Sequence, residues 1–349
     1  MSADTRNPPL DLPAIKAAAR LLEQGRLVAF PTETVYGLGA DAENPAAVAR
    51  IFEAKGRPSD HPLIVHLSPQ ADLARWAADI PDEARRLIEV FWPGPLTLIL
   101  KRAAGIPDTV SGGQDTIGLR CPSHPVALAL LHEFRQGQGG IAGPSANRFG
   151  HVSPTTAQHV REEFGESHPL IGCILEGGQS EVGIESTIID LSRLSSHGPV
   201  LLRPGRLSAQ EIGDVLGCAV ALPDLAAPRA SGTLDAHYAP ATALALVPGE
   251  QLAQVLQELT AKGRRLALMH HSALPANAVS GTILATIRMQ AEPAPYAHDL
   301  YARLRALDHA GAELIVVEAP PTGSGWEAVN DRLRRSAFDS VGVLSRLLA

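Results

Sequence analysis

Residues 12–67 read LPAIKAAARLLEQGRLVAFPTETVYGLGADAENPAAVARIFEAKGRPSDHPLIVHL, and the spacing of their apolar residues decides the fold class. Ile15, Ala18, Ala19 and Leu22 recur at helical intervals and Gly25 supplies a left-handed stop, so a helix is predicted from Leu12 to Gln24. A strand from Arg26 to Phe30 should follow. Asn44 with Pro45 behind it signals a helix start, and that helix runs through Val48 and Ile51 to Lys55 and ends at Gly56. LIVHL at 63–67 reads as the next strand. Working outward, helices at 81–91 and 124–135 alternate with strands at 96–101, 116–120, 140–143, 170–176 and 186–191. Alternating helix and strand runs predict α/β layers.

Beyond Arg203 the texture changes. A short helix near 209–216 precedes a stretch from 221 to 240 carrying Pro223, Pro228, Ser231, Gly232 and Pro240, which reads as an interdomain linker. Strands at 242–247, 265–269, 282–286 and 312–318, with helices at 250–261 and 295–310, then predict a smaller α/β domain of βαβ type. The expected organisation is a domain at 12–206, a linker at 207–240 and a second domain at 241–349. A length of 349 residues is enough for two cores.

Composition excludes several classes. The net charge is −7, which argues against a protein clamped on nucleic acid through a broad basic face. Cys121, Cys173 and Cys218 lie far apart without a Cys-x-x-Cys pair, so neither a disulfide framework nor a zinc knuckle is expected, and a reducing cytoplasm is the simplest location. No stretch approaches the roughly 18 apolar residues of a membrane span, and the N-terminus lacks a signal pattern. The cations are 26 arginines and only four lysines: Lys16, Lys55, Lys101 and Lys262.

Common motifs are absent or misleading. No lysine follows a glycine, so there is no Walker A loop. Neither His-Glu-x-x-His nor Gly-x-Ser-x-Gly occurs. Gly37-Leu-Gly-Ala-Asp-Ala42 and Gly323-Ser-Gly-Trp-Glu-Ala328 match a loose dinucleotide pattern, but their context favours turns. The neighbours His270 and His271 at a strand end point to opposite faces, which favours packing over metal binding.

Polar segments at the ends of predicted elements remain: Pro31–Gly39, Lys55-Gly-Arg57, His61–His66, Gly118-Leu-Arg120, Gly143-Pro-Ser-Ala-Asn147 and Glu185–Ile188. Lys55 and Arg57 suit triphosphate oxygens, and equally suit the C-terminal dipole of a helix. Gly143–Asn147 offers hydroxyl and amide groups to phosphate, or is a plain turn. His66 reads as a core histidine. Arg120 suits a carboxylate clamp or an ion pair with an acidic residue of the chain.

Taken in order, PTETVYGLGADAENPAAVARIFEAKGRPSDHPLIVHL, GPSAN, GIESTIID and LLRPG resemble the signature of the YrdC-like family. Ala236-His-Tyr-Ala-Pro240 and the second domain extend the likeness to the long, two-domain threonylcarbamoyl-AMP synthases, although Ala230-Ser-Gly-Thr-Leu234 departs from the usual Ser-Pro-Gly-Met. The resemblance implies a YrdC-like twisted mixed sheet with flanking helices, followed by a smaller Rossmann-like α/β domain. It implies a nucleotidyltransferase that joins L-threonine, bicarbonate or CO2, and ATP into threonylcarbamoyl-AMP and pyrophosphate, a product used by tRNA-modification proteins. Thr34, His66, Arg120, Gly143 and Ser186 would then hold threonine. Lys55, Arg57, His61, Thr116, Ser145, Asn147, Ser153, Arg203 and Tyr238 would surround ATP, with Lys55 and Arg57 acting in catalysis and the linker as a mobile lid. Mg2+ would arrive with ATP, since no direct metal motif is present. Two other readings stay open: a relative that forms a carbamoyl-adenylate, and a double-stranded-RNA-binding module.

Overall fold

A computed structural model of the chain describes residues 10–274 and 281–349. The chain divides into two compact units, one of Met1–Phe149 with Ser153–Thr233 and one of Gly150–Val152 with Leu234–Ala349. The expected linker at 207–240 is therefore shared, with 207–233 in the first unit and 234–240 in the second.

The first unit is built on a twisted mixed sheet. Its strands are β1 (Leu27–Phe30), β2 (Gly37–Asp41), β3 (Ile64–Leu67), β4 (Ala77–Asp79), β5 (Leu96–Arg102), β6 (Thr116–Arg120), β7 (Gly140–Ala142), β8 (Ile171–Ile174), β9 (Thr187–Asp190) and β10 (Val200–Arg203). They run in the order β10-β9-β5-β6-β3-β7-β2-β1-β8, with β4 added to β5. Parallel pairs β3·β6 and β5·β9 alternate with antiparallel pairs β5·β6 and β3·β7, which makes the sheet mixed.

The start and stop signals work as physics requires. Asn44 accepts hydrogen bonds from the Ala46 and Ala47 N–H groups, and Gly56 closes helix Pro45–Lys55 at φ 63°. This helix and helix Asp82–Phe91 add Val48, Ile51, Ala84 and Leu87 to a core with Val65, Leu98, Leu100 and Leu119 on one side of the sheet. Helices Leu12–Glu23 and Pro125–Glu133 cover the β1 end of the other side through Ile15, Leu22, Leu130 and Leu131.

One expectation fails. The Gly-x-Gly-x-x-Ala run at 37–42, read as a turn, supplies strand β2, which is antiparallel to β1 and wholly buried. The cause is close approach. A Cβ at Gly39 would lie 2.8 Å from Ile141 and 2.9 Å from the Phe30 ring.

The second unit holds β11 (Leu244–Val247), β12 (Leu266–His270), β13 (Ile283–Arg288) and β14 (Leu314–Glu318) in a parallel sheet ordered β11-β14-β12-β13. Helix Gly249–Ala261 connects β11 to β12 and helix Pro293–Asp308 connects β13 to β14, and helices Glu327–Ser336 and Ser340–Leu348, not foreseen in the sequence, follow β14. Gly323 and Gly325 sit at φ 121° and 87°, so the second Gly-x-Gly run is turn chemistry as expected. His270 Nδ1 lies 2.8 Å from the Ser272 carbonyl and His271 Nδ1 3.2 Å from Glu318 Oε2. Among the described residues no helix is long and apolar enough to cross a membrane.

Candidate functional site

Side chains two residues apart share a face of a strand, so Ile64 and His66 on β3 lie beside Gly118 and Arg120 on β6, with which they are in register. Ile99 on β5 and Ile188 on β9 continue the same face. Helices 12–23 and 125–133 cover one end of it. At the other end, Ala227 and Ala230 of the 207–233 segment pack on Ile64, Ile99 and Ile188. Of the polar residues expected from the sequence, register places His66, Arg120 and Arg203 on this face.

Arg120 is the centre of the first group. Its Nη2 donates to Glu33 Oε1 at 2.6 Å, its Nη1 to Thr34 Oγ1 at 2.8 Å and its Nε to the Gly94 carbonyl at 3.3 Å. Both partners of the Glu33–Arg120 pair are about 95% buried (5% and 3% side-chain exposure). His66 stands against the edge of Phe30, and its Nδ1 is 3.3 Å from the Ile141 carbonyl. A carbonyl only accepts, so Nδ1 carries the proton and Nε2 is left as an acceptor. Burial, and secondarily the charge of Arg120, pushes the His66 pKa down to about 3, so the ring is neutral. Gly143 is small for a reason: a Cβ there would lie 3.0 Å from His66 Nδ1.

Lys55 is the centre of the second group. Helix 45–55 ends on it, and its Nζ donates to the Ser145 carbonyl at 2.5 Å and to the Asn147 carbonyl. Its own carbonyl accepts from the Phe149 N–H at 2.8 Å, so the 145–149 loop wraps around the lysine. Burial, with Arg57 as a second cause, holds the ammonium pKa well below the usual lysine range. His61 rests on Phe149 at a centroid distance of 5.4 Å, and burial followed by Arg57 lowers its pKa. Asn147 donates to the Arg148 carbonyl at 2.7 Å, and Ser153 donates to Glu185 Oε1 at 2.6 Å.

Ser186 and Arg203 form a third group. Ser186 Oγ is 2.8 Å from Thr97 Oγ1, and Arg203 donates through Nε and Nη2 to the Ser186 carbonyl at 3.1 and 2.9 Å. Arg203 Nη1 also donates to the Ser231 carbonyl at 2.8 Å, and Arg57 Nη2 lies 3.4 Å from Ser231 Oγ. Thr116 lines a small cleft floored by Ile64, Ile99 and Ile188 and bordered by Ala230 and Ser231. Ser231 thus lies against two of the cations expected at phosphate.

Tyr238 belongs to the second unit. Its ring is 1% exposed, stacks on Tyr301 at 5.7 Å and carries the Arg332 guanidinium at 5.3 Å. Its backbone is left-handed, at φ 60°. Sequence reasoning missed Glu33, Thr97, Glu185 and Ser231. Glu33 and Glu185 were visible as charges inside otherwise apolar or hydroxyl-bearing segments, whereas Thr97 and Ser231 carry no local signal. Among the described residues no cluster of three His, Cys, Asp or Glu side chains could hold a metal ion.

Residues 20–205 match the Sua5/YciO/YrdC family model, described as telomere recombination, and residues 207–338 match the model of the threonylcarbamoyl-AMP synthase C-terminal domain. A threonylcarbamoyl-AMP synthase of Pyrococcus abyssi is 40% identical over 336 residues, covering 93% of this chain and 94% of the relative. The synthase of Bacillus subtilis is 38% identical over 333 residues, covering 93% of each. The crystal structure of P. abyssi Sua5 complexed with L-threonine superposes with a TM-score of 0.85 at 35% identity, over 95% of this chain and 96% of that one.

Proposed function

We infer the roles of individual residues from the premise that this chain belongs to the threonylcarbamoyl-AMP synthase family. It is a nucleotidyltransferase whose product is threonylcarbamoyl-AMP, made from threonine and ATP. The observation that carries the assignment of the site is the shared face of the first unit's sheet, on which His66 of β3 lies beside Arg120 of β6, Arg120 holds Thr34, and Arg203 of β10, in register with Ile188 of β9, holds the Ser186 carbonyl.

On our reading Arg120 takes the carboxylate of threonine, and Thr34, the neutral His66, Ser186 and the backbone at Gly143 close the pocket around it. Lys55, Arg57, His61, Thr116, Ser145, Asn147, Ser153 and Arg203 take the nucleotide. Bicarbonate or CO2 is the third reactant. With CO2, the neutral threonine amine bonds to carbon as one C=O electron pair moves onto oxygen, and the N–H proton passes to water; with bicarbonate, the same N–C bond forms as a C–O bond breaks, and the departing hydroxide takes that proton and leaves as water, giving the same carbamate. A carbamate oxygen then bonds to the α-phosphorus of ATP as the bond to the β-phosphate oxygen breaks, and pyrophosphate leaves with its electron pair.

A carbamate is short-lived in water, so the work of the site is to hold three reactants in line and neutralise phosphate charge. No protein nucleophile is required. Arg57 and Arg203 would exchange the Ser231 hydroxyl and carbonyl for nucleotide oxygens, which makes the 207–233 part of the expected linker a lid over ATP. Mg2+ fits as an ion carried by the nucleotide. The hydroxyls of Ser145 and Ser153, the Asn147 amide and the Glu185 carboxylate are hard oxygen donors suited to complete its shell. When bound, it would withdraw charge from the leaving pyrophosphate.

A mixed carbamic–phosphoric anhydride is an activated acyl donor, so proteins that pass the threonylcarbamoyl group to tRNA are the expected consumers, in the cytoplasm. The test is mass spectrometry of the product from threonine, bicarbonate, ATP and Mg2+. A threonine-dependent adenylate with equimolar pyrophosphate is expected. Pyrophosphate release without threonine would move the assignment to a carbamoyl-adenylate former.

A further inference from the structure

Two residues beside the pocket have no assigned role, although each makes a defined contact. Glu33 receives Arg120 on Oε1 at 2.6 Å and the Ser123 N–H on Oε2 at 3.1 Å. Thr32 donates its hydroxyl to the Val35 carbonyl at 2.6 Å and lies 2.9 Å from Thr34 Oγ1.

A guanidinium has five N–H groups. Arg120 spends one on Gly94, one from Nη1 on Thr34 and one from Nη2 on Glu33. One N–H is left on each terminal nitrogen, the number that a carboxylate takes when it binds both. Glu33 is itself tied to the Ser123 backbone, so it fixes which pair remains.

The hydroxyls have a fixed direction. Thr32 has one proton and gives it to the Val35 carbonyl, so in the contact between the two threonines Thr34 must be the donor. Thr34 also accepts from Arg120. Thr32 Oγ1 also receives the Thr34 and Val35 N–H groups at 3.3 Å each, both longer than the 2.9 Å hydroxyl contact, so the shorter contact keeps the Thr34 proton on Thr32 and Thr34 meets a substrate as an acceptor through its remaining lone pair. The wall of the pocket therefore presents two cationic donors beside one acceptor, a pattern that matches a carboxylate beside a hydroxyl. With the neutral Nε2 of His66 available to an amine, the β-hydroxyl is the group left for Thr34.

We propose that Glu33 and Thr32 are positioning residues of the threonine pocket: Glu33 sets the carboxylate-binding edge of Arg120, and Thr32 sets the proton direction that makes Thr34 an acceptor for the substrate hydroxyl. The proposal rests on the first unit's pocket being the threonine site. It assigns selection for a β-hydroxy amino acid over its isostere valine to residues that do not touch the substrate.

The experiment measures pyrophosphate release by the full chain with ATP, bicarbonate and Mg2+, titrating threonine, valine and ATP in turn. Glu33→Gln is expected to raise the threonine KM about 10- to 100-fold, the range of a hydrogen bond to a charged group, and to leave the ATP KM within about twofold. Glu33→Asp should fall between. Thr32→Val frees the Thr34 proton and should erase most of the preference for threonine over valine, which in the parent should be roughly a hundredfold or more. Thr32→Ser should restore it. An unchanged or lowered threonine KM in Glu33→Gln, or a preference that survives Thr32→Val, overturns the proposal. A parent that releases no pyrophosphate in response to threonine overturns the threonine pocket itself, and the proposal with it.

Discussion

Lys55 reaches across 90 residues of sequence to donate to the Ser145 carbonyl at 2.5 Å. A second N–H goes to the Asn147 carbonyl, so one remains for a nucleotide oxygen. In a chain whose other cations are overwhelmingly arginine, a compact ammonium suits this position because two carbonyls and a phosphate must converge on one point. Lys55→Met keeps the buried stem and removes the charge. Turnover should fall roughly 30- to 1000-fold, or about 2–4 kcal/mol, in steady-state pyrophosphate release. Near-parental turnover would remove Lys55 from the catalytic set.

Arg120→Ala separates binding from stability. It removes the carboxylate clamp and strands Glu33 as a buried charge, so unfolding should become easier by about 3–5 kcal/mol. The requirement for threonine should rise far more than that for ATP. Equal losses for both substrates would mark the arginine as structural.

His66 makes stability depend on pH. Its folded pKa of about 3 lies below the ordinary histidine value of 6.5, so between these values the unfolded chain binds more protons than the folded one. The contribution is intact above pH 6.5 and is lost as pH falls towards 3, by up to about 4–5 kcal/mol for this buried ring. Urea midpoints measured from pH 7 to pH 4 should fall more steeply for the parent than for His66→Gln. Parallel curves would mean that the ring is protonated in the fold.

Gly205 tests the backbone at Ser186 and Thr187, which Arg203 holds. A Cβ there would lie 2.3 Å from the Thr187 nitrogen and 2.7 Å from the Ser186 carbonyl carbon. Gly205→Ala must push the backbone that receives Arg203, at a cost of about 1–3 kcal/mol. Both substrate KM values should rise together, unlike the split expected for Arg120→Ala. A parental melting temperature would show that the backbone yields without cost.

Tyr238→Ala removes a ring packed on Tyr301 and Arg332, so a loss of about 3–5 kcal/mol is expected in the unfolding of the second unit. If the variant also bound ATP and turned over like the parent, the tyrosine would have no part in closing over the nucleotide.

The sequence already contained the elements that local rules build. Asn44, Gly56 and the apolar spacing from Ile15 to Leu22 act within one or two turns of helix, and those helices are where the pattern put them. Strand β2 was hidden because its glycines answer to Phe30 and Ile141, partners fixed by sheet order rather than by neighbours in sequence. The long-range pairings of the site were hidden for the same reason. An arginine at 120 announces an acidic partner, but 37 were available, and only the fold selects Glu33. Helix Glu327–Ser336 carried an apolar spacing at Ala328, Val329 and Leu333 that was legible and went unread.

The tripeptide Gly150–Val152 belongs to the second unit while its flanking residues belong to the first. It is tied there by the Ala239 N–H, which donates to the Gly150 carbonyl at 2.8 Å, and by Arg305, which donates to the Val152 carbonyl. The chain thus crosses between the units three times, and two of those crossings fall between Asn147 and Ser153. A gene cut at residue 233 would yield a C-terminal fragment lacking part of its own fold. A circular permutant opened near 233 keeps every piece, and the crossings at 149/150 and 152/153, with the new link from residue 349 to residue 1, leave three covalent strands joining the units. Pulling on the second unit would therefore load the 147–153 segment as well as the linker.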